Sequence, residues 1–144
     1  MSATNVEAFD KTLQTTNLWL NQILAEMGWQ ERHKSYTALR AVLHTLRDCL
    51  IVEEAADLGA QLPLLVRGAY YEGWVPAKTP QRMSREDFLA AVTRHFPREP
   101  EIDAKRVVRS VFRAMAHQMP GGELSDVKHM LPKSIQELWP LSVR

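Results

Sequence analysis

The chain has five histidines, one cysteine and seventeen carboxylates, and their spacing decides which chemistries are open. His33, His44, His95, His117 and His129 show neither His-x-x-x-His nor His-Glu-x-x-His spacing, so no zinc motif is present. His44 and Asp48 stand four apart on one helix face and could offer two metal ligands, but a solvated His–Asp pair has the same spacing and is the simpler reading. Cys49 sits beside the Leu46/Leu50 stripe and reads as a small core residue. Serines and threonines fall at caps and linkers without a nucleophile elbow. Gly121-Gly122 is followed by Glu123 rather than by Lys and Ser/Thr, so no phosphate loop is expected. No catalytic constellation, metal or cofactor is expected.

Two other stretches could bind something. Arg106, Arg109, Arg113 and His117 recur every three or four residues and could make a phosphate-binding stripe. A solvated face opposite Val108, Phe112 and Met115 explains the same spacing, and nucleic acid is not the favoured partner. The run AQLPLLVRGAYYEGW at 60–74 concentrates one arginine, two glycines and three aromatics, residue types enriched at interface hot spots.

Composition excludes several classes. The chain is 45% apolar and 24% charged with a net charge of +1, an ordinary globular balance. Residues 1–74 carry six basic against nine acidic side chains, net −3, and residues 75–144 carry twelve against eight, net +4. That polarity could favour docking of the halves or head-to-tail association, and is too weak to imply nucleic acid. A lone cysteine cannot form an internal disulfide, which fits a reducing cytoplasm. The stretch MSATNVEAFDK lacks the basic and apolar regions of a signal peptide, and no run approaches the roughly 20 apolar residues of a membrane span. A cytoplasmic location is expected.

Helical periodicity must position these groups. Val6, Phe9, Leu13, Leu20, Ile23 and Met27 recur mostly three or four apart, with Gly28 placed as a C-cap. Tyr36, Leu39, Leu43, Leu46 and Leu50 form a 3,4,3,4 stripe, 53–61 is a short polar-faced helix, and Pro63 suits the first turn of the next. Residues 74–84 hold two prolines and no periodicity and read as a linker. Ser84 with Asp87 looks like a capping box before Phe88, Leu89, Val92 and Phe96, and Asp103 like an N-cap before Val108, Val111, Phe112, Met115 and Met119. No alternation is long enough for a strand.

A shift of 69 residues aligns the two halves without a gap. Leu39, Val42, Leu43, Leu46 and Leu50 fall on Val108, Val111, Phe112, Met115 and Met119, and Leu62-Pro63 on Leu131-Pro132. The expected fold is all-α: two tandem four-helix repeats, 5–72 and 84–140, packed as one pseudo-twofold bundle in a single domain over 1–144. Features found in both copies are expected to be structural. Arg40, Glu54 and Asp57 recur as Arg109, Glu123 and Asp126, and are expected to be partly buried ion pairs between the second and third helices of each unit. A pair of acidic sites is the alternative. Arg67, Gly68, Tyr71, Gly73 and Trp74 have no counterpart in the second copy and are the candidate binding residues. Gly68 inside a helix suggests close approach of another backbone, and Tyr70 and Tyr71, about 100° apart on a helix, are not easily buried together.

TTNLWL at 15–20, ALRAVLHTLRD at 38–48, AADLGAQLPLLVRGAYYEGW at 55–74 and LP…ELWP at 131–140 resemble the bacterial "domain of unknown function twenty-two sixty-seven". The resemblance spans essentially the whole chain and implies a small cytosolic all-helical protein. It brings no catalytic or ligand residues with it. The leading expectation is a non-enzymatic interaction or self-association module, a homo-oligomer or a protein's partner, using the Arg67–Trp74 segment. The alternatives are a small-molecule or enzymatic site in a cleft between the repeats near Arg67 and Tyr71, and a weak anion or nucleic-acid binder.

Overall fold

A computed structural model describes every residue except 1, 2 and 120. The first two open the N-terminal stretch considered above and lie outside the described residues. Eight α-helices, and no strand, are found among the described residues: α1 Glu7–Met27, α2 Arg32–Asp48, α3 Val52–Gln61, α4 Leu64–Tyr71, α5 Arg85–Thr93, α6 Ala104–Gln118, α7 Gly121–His129 and α8 Lys133–Gln136. None is long and apolar enough to cross a membrane.

Local chemistry explains three of the helix ends. Gly28 adopts φ 69° at the end of α1, where its N–H and that of Trp29 take up the carbonyls of Ala25 and Leu24. Ser84 and Asp87 satisfy each other's backbone N–H groups in a capping box at α5. Asp103 accepts from the Arg106 N–H at α6. Between α4 and α5 a 3-10 turn, Pro76–Lys78, leads to Gln81, whose N–H donates to the Asp48 carbonyl at 2.7 Å and ties the connection to the end of α2.

Buried side chains decide the packing. In α2, Ala38, Leu39, Ala41, Val42, Leu43 and Leu46 are all buried, because α1, α4, α5 and α6 pack around this one helix. Trp19, Ile23, Leu43, Leu58, Tyr70, Phe88, Phe112, Leu124 and Trp139 belong to one apolar cluster that runs through both halves of the chain. Phe112 stacks on Trp139 with centroids 3.7 Å apart. Each such side chain contributes about 1.5–3 kcal/mol on burial.

Helical periodicity does not by itself decide burial. Val6, Phe9 and Leu13 are exposed, and so is Tyr36 at the start of the second stripe. Only the later part of α1, with Trp19, Ile23 and Met27, enters the core. The front of α1 instead runs beside the start of α4, joined to it where the Leu65 N–H donates to Thr12 Oγ1 at 3.0 Å.

Candidate functional site

The segment from Arg67 to Trp74 is largely spent inside the molecule. Arg67 donates from Nε to the Gly59 carbonyl at 2.9 Å and from Nη2 to those of Leu62 at 2.9 Å and Ala60 at 3.3 Å. It therefore closes the C-terminal end of α3, where carbonyls lack helical partners and favour a cation. Tyr71 lies flat along α3, its hydroxyl donating to the Ala56 carbonyl at 3.4 Å. A Cβ on Gly59 would fall on the Tyr71 hydroxyl and ring. Tyr71 also meets Tyr70 at 5.0 Å and Trp74 at 5.4 Å between centroids. Tyr70 is wholly buried, its hydroxyl donating to the Ala55 carbonyl at 2.7 Å. Gly73, at φ 76°, takes the left-handed turn that ends the helical segment.

The expected close approach at Gly68 is corrected. No neighbouring element lies within 4 Å of where its Cβ would stand. The glycine that admits a close neighbour is Gly59, which the sequence offered only as one small residue within a helix. Gly68 faces the other way and lines a groove of about 630 Å³ between α1, α2 and α4. Phe9, Leu13 and Leu20 of α1, Tyr36 of α2, and Leu64 and Leu65 of α4 form most of its apolar wall. Five of these remain open to solvent, Phe9 at 50%, Leu13 at 39%, Tyr36 at 38%, Leu64 at 51% and Leu65 at 47% exposure. Large aliphatic and aromatic groups gathered in one open groove mark an interaction surface more strongly than the same residues scattered singly.

The expected ion pairs within each half are also corrected. Arg40 reaches across to Glu72 beyond α4, not to Glu54 or Asp57. Arg109 is exposed and makes no ion pair among the described residues. The geometry instead brings α3 against α7, so that Glu54, Glu123 and Asp126 offer oxygens all within 4.8 Å of one another. Neither Glu54 nor Glu123 is paired with a cation among the described residues. Burial, then the neighbouring Glu54, Asp57 and Asp126, pushes the Glu123 carboxyl up to about 7. These three carboxylates are the described residues that could share a hard divalent cation.

The remaining chemically active groups have ordinary partners. Asp48 pairs with Arg47 at 2.9 Å rather than with His44. Burial, with the neighbouring Asp48 charge, pushes the Cys49 thiol up to about 12, which keeps it protonated and unreactive. Three of the four basic-stripe residues bind α1: Arg106 donates to the Glu26 carbonyl, Arg113 pairs with Glu26, and His117 meets Gln22 at 2.9 Å.

Fold and groove together define a small protein, all-helical over its described residues, with an open apolar face. The chain belongs to the family described as "Uncharacterized conserved protein (DUF2267)", whose profile matches residues 16–138. No curated protein matches the chain.

Proposed function

We propose that the protein is a non-enzymatic self-association module, and that the groove between α1, α2 and α4 receives the same face of a second copy. The observation that carries this reading is the row of exposed apolar side chains, Phe9, Leu13, Leu64 and Leu65, along one groove. The occupant follows from shape. The groove's own wall, the front of α1 with Phe9 and Leu13, is an apolar helical ridge of the kind such a groove accepts. A surface holding both ridge and groove can pair with itself about a twofold axis, the commonest symmetry of soluble oligomers.

An internal duplication supports assigning this role to the first half. On the proposed pair of four-helix units, 5–72 and 84–140, the 69-residue shift lays α2 on α6 and α3 on α7. The groove-lining front of α1 falls on residues 76–85, which form the connection and the start of α5. The first unit thus carries an apolar helix that the common plan does not require. The free Cys49 fits a cytoplasmic setting for the same reading.

Sedimentation equilibrium tests the proposal. The wild type is expected to dimerise with rising concentration, and a Phe9→Glu, Leu65→Glu double variant to stay monomeric with an unchanged circular dichroism spectrum. A wild type that remains monomeric at every soluble concentration would overturn it. So would a double variant that dimerises as the wild type does.

A further inference from the structure

A second, polar cleft of about 320 Å³ opens where α2, the connection after α4, and α5 meet. His44, Thr45, Asp48, Gln81, Arg94 and His95 line it. His44 is only 8% exposed. Its Nε2 lies 2.6 Å from the Ala69 carbonyl, an acceptor only, so Nε2 carries the proton and Nδ1 the lone pair. The His95 ring meets the His44 ring edge-on, 6.2 Å between centroids.

The charges around the two imidazoles are unevenly matched. On α2, Arg40 is neutralised by Glu72 and Arg47 by Asp48. Arg47 also donates to the carbonyls of Tyr70 and Glu72, at 2.7 and 3.0 Å. From the α4 side His44 faces Glu72 and the Ala69 carbonyl, and from the connection it faces the uncharged Gln81. At the C-terminal end of α5, Arg94 pairs with no carboxylate among the described residues. Burial lowers the His44 pKa, against the pull of the Ala69 carbonyl, and Arg47, Arg40 and His95 lower it further. Burial lowers that of His95 as well, followed by Arg40 and Arg94. The cleft thus holds one cation with no carboxylate partner, Arg94, beside two imidazoles whose charged forms are disfavoured first by burial and then by the neighbouring cations.

We infer that this cleft binds a small oxyanion, a carboxylate or sulfate-like group, with Arg94 supplying the charge and His44 and His95 supplying N–H donors. Its size suits a compact ligand, at the low end of the range for small-molecule pockets. A planar guanidinium pairs with an oxyanion through two parallel hydrogen bonds. Entry of the anion cancels the surplus positive charge, so each imidazole gains a proton from solvent and a second donor. Binding and protonation are then linked: the anion binds more tightly at low pH, and bound anion makes the histidines more basic.

Nuclear magnetic resonance titration of the His44 and His95 ring signals in the full chain tests this, with sodium sulfate and sodium acetate against chloride at constant ionic strength. Sulfate stays a dianion throughout the range, so any pH dependence of its binding belongs to the protein. Sulfate is expected to raise both imidazole pKa values by about one unit, and its affinity to fall about tenfold from pH 6 to pH 8. A response to acetate alone would assign the site to carboxylates within the same class. Arg94→Gln, an exposed change, is expected to raise the His95 pKa in chloride, since Arg94 helps to lower it, and to remove the further shift on adding sulfate. The inference is overturned if neither anion moves either histidine, or if Arg94→Gln responds as the wild type does.

Discussion

The structure uses the two sides of α4 in opposite ways. Toward α3, Arg67 and Tyr71 are committed: the guanidinium holds three carbonyls and the ring covers Gly59. Toward α1, Leu64, Leu65 and Gly68 face an open groove. The residue types most often associated with binding are thus the ones consumed by folding, and plainer aliphatic side chains are left available. What separates the two sides is whether the neighbouring helix supplies partners. α3 presents carbonyl ends and a glycine, and the front of α1 presents more apolar surface.

Breaking the committed side should cost stability without touching association. Arg67→Ala removes three hydrogen bonds from the end of α3, and should lower stability by about 2 kcal/mol, read as a fall of several degrees in melting temperature. Glu123→Gln probes the α3–α7 contact. Because Glu123 holds its proton up to about 7 in the fold against 4.5 ordinarily, its stabilising contribution is complete below that ordinary value and is lost as pH rises through 7. Wild-type stability should fall as pH rises from 5 to 8, and the variant should flatten that slope. Gly59→Ala displaces Tyr71, a cost partly offset by about 1 kcal/mol of better helix propensity. The net loss should be near 1 kcal/mol and should shrink in a Tyr71→Ala background, as a double-mutant cycle would reveal. On the open side Leu64→Glu should change stability by no more than about 0.5 kcal/mol, and weaken dimerisation instead.

Much of this was readable from residue order alone. Gly28, the Ser84–Asp87 box and Asp103 announce helix ends because capping is a local transaction between a side chain and the nearest backbone. The α2 stripe from Leu39 to Leu50 predicts burial correctly. The stripe on α1 misleads from Val6 to Leu13, since a helix lining an apolar groove and a helix lining a core require the same periodicity. A helical glycine signals a close neighbour without saying which glycine has one, so Gly68 drew notice that belonged to Gly59. Arg40 found Glu72, and Glu54 met Glu123 and Asp126, because those choices depend on how helices distant in sequence cross.

The contrast between the two sides of α4 can be observed in one experiment, a concentration series of methyl and aromatic nuclear magnetic resonance spectra. As the protein is concentrated, the Leu13, Leu64 and Leu65 methyl signals should shift together along one binding curve, while the ring signals of Tyr71 and Trp74 stay fixed. Groove methyls that do not move with concentration, or shifts centred on Tyr71 and Trp74, would contradict the account.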